Sequence, residues 1–525
     1  MFIGYFTERP YQDERTGFFG ATGKPIMDLT VSNEMFDPIL AAGLFNRYLD
    51  EKIYAEEMGF DGLMLNEHHN TAFCMGGAMN VEASILARIT KRAKIVLLGN
   101  IIPIWDDPLL LVEQLSMIDM ISHGRLVSGW VRGTGRESVS HNIEPHYNWE
   151  RFQEAHEFIV KAWTTPGPFR WEGKHYNYRH VNPWAKPYQK PHPPIWLPGV
   201  VSRDSLMWAA EKRIPYIMLA TEMDPTKQAF QLYRDTAAEH GYESGPQNLG
   251  YLWKVHVDET EELAEATGRK YVQGPSNPFL AGNEGTVNPA LVNLPGLTSR
   301  RRVLPTQAVA TAARGGGGGV AGVLGRPYEQ QIEDYTIICG TPKTVIPKIR
   351  HVLEYLRPGS IFFWDGDGAM THDDAMRSLR LMGEEVIPAV REIAKELELP
   401  GPFEVNPATG EDIETYTQIT KDEAYCGKFK PMDETLVVNA ENNGIANVIV
   451  YVRTKDVAIH PDYDKLLKVR VILDNKGCRF EPHVTMLWTR RTLELGNRDM
   501  VGHNTQVSTF FNDPINPLIP TGGVF

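Results

Sequence analysis

The residues best suited to chemistry lie in one short stretch, Asn66-Glu67-His68-His69-Asn70. A carboxylate, two imidazoles and two amides follow directly on the apolar run Gly59–Leu65. An imidazole titrates near neutral pH, so it can move protons, and a neighbouring carboxylate can orient it. Side chains alternate along a strand, so His68 and His69 point to opposite faces: one acts while the other packs. On the motif alone, a pair of structural histidines at a strand end explains it equally well. Adjacent histidines do not converge on one ion, and no partners follow at ligand spacing, so no metal site is expected.

Two further stretches suit an anion. Arg125–Val131 is a strand-like run delivering Arg132 and the turn Gly133-Thr134-Gly135. A guanidinium beside free backbone N–H groups fits a phosphate or an anionic ring, although glycines after a strand commonly just make a turn. Trp196–Ser205 is a strand running into a helix that begins near Ser202 and Ser205. Unpaired N–H groups and the dipole at such a start favour a phosphate, and the hydroxyls can bind it or cap the helix.

These groups need elements to hold them. Short apolar runs fall at Phe2–Phe6, Gly59–Leu65, Ala93–Ile102, Arg125–Val131, Pro194–Leu197, Tyr216–Ala220, Leu249–Val257 and Ser360–Trp364. Between them lie amphipathic stretches such as Phe45–Met58, Leu109–Ile121, Trp149–Ala162 and Ser205–Lys212. About eight such β/α units close a (β/α)8 TIM barrel, with its chemistry at the C-terminal strand ends. A doubly wound sheet would show a Gly-rich turn after the first strand, but Thr7-Glu8-Arg9-Pro10 stands there. The long polar loop Pro10–Pro38 and the aromatic segment Trp171–His192, read as a hairpin, suit the same rim. The segment 274–326, which contains Gly315–Gly319, reads as a lid insert on the substrate side or, equally well, as a disordered linker.

Beyond Pro400-Gly401-Pro402 the pattern turns all-β, with strands expected at Thr435–Asn439, Ala446–Arg453, Leu467–Asp474, His483–Trp488 and Thr492–Gly496. The expected division is a barrel at 1–398 and an all-β sandwich domain at 399–525. A net charge of −13 argues against nucleic acid and anionic membranes as partners. Cys74, Cys339, Cys426 and Cys478 show no paired spacing, which reads as a reducing compartment rather than a disulfide framework. The chain opens on a strand-like run without a basic leader or a spanning apolar stretch, so a cytoplasmic location is expected.

In combination the stretches resemble the bacterial luciferase-like family of flavin-dependent monooxygenases, (β/α)8 barrels, over roughly residues 1–395. Glu67-His68-His69 matches that family's Glu-His-His after the second strand, and Arg132-Gly133 its Arg-Gly after the fourth. Ser202-x-x-Ser205-x-x-Trp208-Ala209-Ala210, with Pro215 following, matches its phosphate-binding helix start, and Gly340-Thr341-Pro342 is also family-like. The resemblance implies His68 as the catalytic histidine, with Glu67 and Asn66 orienting it or contacting the flavin ring. It implies Asn100 lining the ring, and Arg132, Gly133, Ser202 and Ser205 holding the FMN phosphate. Reduced FMN from a separate flavin reductase would react with O2 to oxygenate a small, apolar organic substrate, in a chain that pairs as a dimer. The neighbouring readings are an F420-dependent oxidoreductase on the same barrel and a flavin-binding protein without turnover. Val131 stands where luciferase itself has a reactive cysteine, so light emission is not implied.

The tail, through Asn475–His483 and Gly502-His503-Asn504, resembles a cupredoxin-like domain found with methylamine-utilisation-type proteins. There His503 would be the first of several copper ligands. The later Cys-x-x-His segment is absent, so the tail reads as an incomplete module for packing or oligomer contacts, with no copper centre expected.

Overall fold

The computed structural model describes residues 1–13, 32–272, 327–413, 425 and 461–525, less 134, 200–201, 220–221, 367–369, 483–484, 486, 488–490 and 508–514. Expectations on 14–31, on the insert at 274–326 and on the strands at 435–453 therefore lie outside the described residues. They form two compact units, Met1–Ile413 and Glu414–Phe525.

In the first unit the chain runs through β1 (Phe2–Phe6), β2 (Gly62–Leu65), β3 (Lys94–Ile101) and β4 (Leu126–Val131). An antiparallel hairpin follows, β5 (Phe169–Glu172) with β6 (Asn177–Val181), and then β7 (Ile195–Gly199), β8 (Tyr216–Leu219) and β9 (Leu249–Val257). After β10 (Ile337–Gly340) comes β11 (Ser360–Trp364). Eight strands pair in parallel in the order β1-β2-β3-β4-β7-β8-β9-β11, and β11 returns to β1 with Phe2 opposite Ser360, closing the expected (β/α)8 barrel. β10 lies parallel to the upper half of β9. At four residues it is too short for its apolar run to stand out in the sequence.

The period of two is visible in the packing. Met64, Val96, Leu98, Val127, Trp196 and Phe362 fill the lumen, while Leu63, Leu65, Ile95, Leu97 and Phe363 belong to the layer under the helices. Small residues admit large ones: a Cβ on Gly4 would stand 2.3 Å from the Phe362 ring. The lower end is closed by Phe403, whose ring lies 5.3 Å from Phe2 and 5.9 Å from Trp196. Glu404 accepts from the Met1 ammonium at 2.7 Å.

Twelve helices are described: α1 (Pro38–Glu57), α2 (Met79–Ile89), α3 (Pro108–Ile121), α4 (Gly135–Ser140), α5 (Asn148–Thr164), α6 (Arg203–Glu211), α7 (Met223–Glu239), α8 (Glu261–Thr267), α9 (Tyr328–Glu333), α10 (Pro342–Leu356), α11 (His372–Leu381) and α12 (Ile387–Glu396). Helix α1 starts seven residues before the Phe45 expected. Asp37 caps it, accepting from Ile39 N at 2.8 Å, and Pro38 takes the first turn, where its missing N–H costs nothing. Among the described residues no helix is long and apolar enough to cross a membrane.

The second unit holds a three-stranded sheet of β12 (Val471–Lys476), β13 (Arg479–Glu481) and β14 (Leu493–Asn497), and a pair, β15 (His503–Asn504) with β16 (Leu518–Ile519). The β12–β13 turn uses Gly477 and Cys478, both left-handed at φ 65° and 59°, as a tight two-residue hairpin requires. Cys478 is disulfide-bonded, whereas Cys74 and Cys339 are free thiols. The expectation of four unpaired cysteines is thus corrected. Distance along the chain says nothing about distance in the fold, and the cysteine count no longer argues for a reducing compartment.

One buried ionic cluster ties β9 to β11. His256 is fully buried, with Nδ1 2.8 Å from Asp365 Oδ1 and Nε2 3.7 Å from Asp258 Oδ2; Arg377 grips Asp258 at 2.8 and 3.0 Å. Burial alone would lower the imidazole's pKa, but Asp365 and Asp258 outweigh it and raise it to about 10. A group raised in the folded state stabilises fully below its unfolded value, about 6.5, and that contribution fades as pH climbs toward 10. Thermal unfolding of the wild type is expected to lose midpoint between pH 7 and pH 9.5. His256→Gln should start lower and lose less over that interval; an unchanged slope in the variant would remove the cluster as its cause.

Candidate functional site

The alternation of β2 continues past its last paired residue and sorts the motif. Asn66 turns to the β1 side of the mouth, where its Nδ2 donates to Glu8 Oε2 (2.7 Å) and its Oδ1 accepts from Arg9 (3.0 Å). Glu67 turns outward, its Oε1 2.7 Å from His69 Nε2 and its Oε2 accepting from Asn100 Nδ2 at 3.0 Å. Asn100 also donates to Asn80 Oδ1 (3.1 Å), which continues to Gln114. Asn66 and Glu67 therefore belong to separate polar groups on opposite sides of the barrel wall.

His68 faces the mouth and is one-quarter exposed. Its Nδ1 lies 2.9 Å from Oε1 of Glu137 in α4, a carboxylate 1% exposed. The other oxygen of Glu137 accepts from the His69 backbone N–H at 3.2 Å. A carboxylate at Nδ1 makes that nitrogen the donor, which leaves Nε2 as the lone-pair nitrogen for a bound molecule. Phe73 flanks the ring at 5.2 Å. His69 packs edge-on against His141 at 4.2 Å, and His141 Nδ1 lies 3.1 Å from the Glu137 carbonyl. The sequence reading missed Glu137. Its signal is a carboxylate in the first turn of a helix directly after the Gly133-x-Gly135 turn.

The anion-suited residues do converge. β4 and β7 are neighbours, with Gly129 opposite Trp196, so Arg132 and the start of α6 share one edge of the mouth. Arg132 makes no hydrogen bond or ion pair among the described residues. Its guanidinium lies 5.9 Å over the Trp149 ring, and burial lowers its pKa against the pull of Asp204 and Tyr216. Ser202 caps α6: its Oγ accepts from Ser205 N at 3.4 Å and lies 2.9 Å from Ser205 Oγ. The Tyr216 hydroxyl, also unanticipated, is buried with no hydrogen-bond partner among the described residues, pressed so close to Gly199 that a Cβ there would stand 1.9 Å from it. Gly133 has φ +77° and fits only because it lacks a side chain: a Cβ would meet Ile101 at 2.5 Å. A guanidinium, two hydroxyls and a helix N-terminus form a donor set that fits a phosphate monoester.

In the second unit His503 Nε2 lies 2.8 Å from Asp499 Oδ2, and ligand atoms of Cys478, Asp499 and His503 sit within 4.8 Å of one another. The Cys478 sulfur is held in its disulfide and offers no thiolate.

Residues 45–357 match the family model for luciferase-like monooxygenases, which covers more than half of the chain. Among curated relatives, the chain is 26% identical over 242 residues to the alkanal monooxygenase alpha chain of Photobacterium leiognathi, covering 44% of this chain and 64% of that protein. It is 23% identical over 227 residues to the alkanal monooxygenase beta chain of Vibrio harveyi, covering 43% and 69%. It thus spans less than two thirds of the length of the first of these. Among solved structures, monooxygenase RslO1 from Streptomyces bottropensis superposes with a TM-score of 0.54 at 20% identity, over 70% of this chain and 98% of that one. The oxygenating constituent of 3,6-diketocamphane monooxygenase from Pseudomonas putida, in complex with FMN, gives 0.54 at 18% identity, over 74% and 97%. With the eight-stranded barrel and the matching motif positions, these findings place the chain in the luciferase-like monooxygenase family.

Proposed function

We propose that this chain is the oxygenating component of a two-component, FMN-dependent monooxygenase. Reduced FMN, delivered by a separate flavin reductase, and O2 are consumed; FMN and water leave, and one oxygen atom is placed in a small, apolar organic substrate. The observation that carries this reading is the pairing, at one barrel mouth, of an uncommitted arginine at a helix N-terminus with a histidine oriented by a buried carboxylate. The first suits the phosphate of FMN and the second suits proton transfer beside the ring. When bound, the flavin supplies the electron chemistry with O2.

The chain's own residues do the rest. Arg132, Ser202, Ser205 and the α6 N–H groups hold the phosphate, with Tyr216 OH as a further donor, and Gly133 lets the backbone approach. Glu137 fixes the ring and tautomer of His68, and stabilises the imidazolium if Nε2 takes a proton from the reacting group. Asn66 and Glu67 hold the strand end on either side of His68. Asn100 acts through Glu67, since its amide is bonded there. Apolar side chains such as Phe73 keep water from the ring.

The direct test supplies 18O2, reduced FMN and a panel of small ketones, aldehydes and alkanes, and reads 18O in the product; no labelled product from any member, together with tight F420 binding, would favour the deazaflavin reading. His68→Ala should lower turnover by about 10²–10⁴-fold while FMN still binds. Glu137→Gln should cost about 10–100-fold in turnover while FMN still binds, because the His68 ring loses the carboxylate that orients it. A Glu137→Gln enzyme with wild-type turnover would reduce that contact to packing.

Arg132→Ala separates phosphate recognition from ring recognition. Losing one charge-assisted contact should weaken FMN binding by roughly ten- to a hundredfold, about 1.5–3 kcal/mol. Riboflavin, which lacks the phosphate, should bind both proteins alike. Equal losses for the two flavins would show that Arg132 does not meet the phosphate.

A further inference from the structure

The second unit brings three kinds of metal ligand to one point. Cys478 stands in the β12–β13 turn, Asp499 in the turn after β14 and His503 at the start of β15. A sulfur, a carboxylate oxygen and an imidazole nitrogen from these residues all lie within 4.8 Å of one another. The carboxylate fixes the arrangement. Its Oδ1 accepts from Gly477 N at 2.7 Å, and its Oδ2 accepts from Cys478 N at 2.8 Å and lies 2.8 Å from His503 Nε2. Asn497 holds the turn from behind: its Oδ1 accepts from Asp499 N at 2.9 Å, and its amide donates to the carbonyls of Val501 and Ile519. Asp499 is 2% exposed, whereas Cys478 and His503 are half-buried, which leaves the group open on one side. Ligands fixed by outer hydrogen bonds, with a path for entry, are what a metal site requires.

The Cys478 sulfur is spent on a disulfide, and only a thiolate ligates a metal. The same atom can close the disulfide or bind an ion, not both. We propose that the cluster is a redox-gated zinc site, shut while the Cys478 disulfide stands and opened by its reduction. A dithiol supplies two electrons and two protons, the S–S bond breaks, both cysteines become thiols, and the reductant leaves as a cyclic disulfide. Zn2+ then takes the Cys478 thiolate, whose proton passes to solvent, with Asp499 Oδ2 and the Nε2 lone pair of neutral His503; water fills the fourth position. A set of sulfur, nitrogen and oxygen suits zinc. Calcium and magnesium take oxygen ligands, and a blue-copper centre takes two imidazoles with its thiolate, of which this cluster holds one. Reduction thereby exchanges a covalent tie at Cys478 for a coordinate one that reaches His503. All three ligands belong to the second unit, so the inference stands apart from the flavin reading.

The test uses the full chain and Zn2+ alone, titrated by calorimetry before and after treatment with a phosphine reductant, which adds no competing thiol. Co2+ in place of Zn2+ identifies the sulfur ligand through a thiolate-to-cobalt charge-transfer band. The expected result is one ion per chain after reduction, with that band, and binding at least about tenfold weaker before it. Cys478→Ser should lose both the band and the response to the reductant. His503→Gln, which keeps the disulfide, should weaken Zn2+ binding to the reduced chain by at least about tenfold, and it carries the test if Cys478→Ser fails to fold. Absence of the band once a thiol assay shows the disulfide open overturns the proposal. So does equal Zn2+ affinity before and after reduction, or equal affinity in reduced wild type and reduced His503→Gln. A second unit that unfolds on reduction and is not restored by Zn2+ overturns it as well.

Discussion

The site depends on a constraint only two residues long: the strict alternation of β2 must persist beyond the point where its ladder ends at Leu65. A slip of one residue would exchange His68 for His69 at the mouth and send Glu67 into the lumen. Hydrogen bonds take over where the ladder stops. Arg9 bonds both the side chain and the backbone carbonyl of Asn66, Asn100 holds Glu67, and Glu137 takes the His68 ring with one oxygen and the His69 backbone with the other. Glu137 is therefore both an orienter of the imidazole and a replacement for the missing strand partner.

That anchoring rests on buried charge. Arg9 is fully buried, with Nε 2.8 Å from Glu82 Oε2; Lys52, also fully buried, lies 3.9 Å from the other oxygen of Glu82. Burial lowers the Lys52 pKa to about 8 against the pull of Glu82. A buried pair adds little net stability, but losing one partner leaves an uncompensated charge at a cost of about 3–5 kcal/mol. The cluster thus serves as a register device: β1, α1 and α2 must meet in one arrangement for the charges to be satisfied, and that arrangement places Arg9 under Asn66. Gly76 belongs to the same device, since a Cβ there would fall 2.2 Å from the Arg9 guanidinium.

Much of this was legible in the residues. The eight strand runs, the barrel and the opposed faces of His68 and His69 follow from apolar spacing and the period of two, and Ser360–Trp364 was placed to the residue. Arg132 and the Ser202–Ser205 helix start could be read as anion-suited because their chemistry is local. What stayed hidden depends on contacts between distant residues. Glu137 lies 69 positions from His68, Tyr216 reaches the Arg132 edge only through strand order, and Asn100 looks like a mouth residue until its bond to Glu67 shows it facing out. The Cys478 disulfide was illegible for the same reason.

The outward half of the motif then takes on a meaning of its own. Glu67 and His69 need not be redundant copies of a catalytic pair, because the wall between them and His68 is only one backbone thick. Glu137 spans that wall, joined to the mouth through His68 Nδ1 and to the outer group through the His69 N–H and, by its own carbonyl, His141. Any change in the outer group that tilts the His69 peptide acts on the same carboxylate that sets the His68 ring. The Glu-His-His sequence is thus one strand end with polar groups on both of its faces, held in register by a single buried carboxylate.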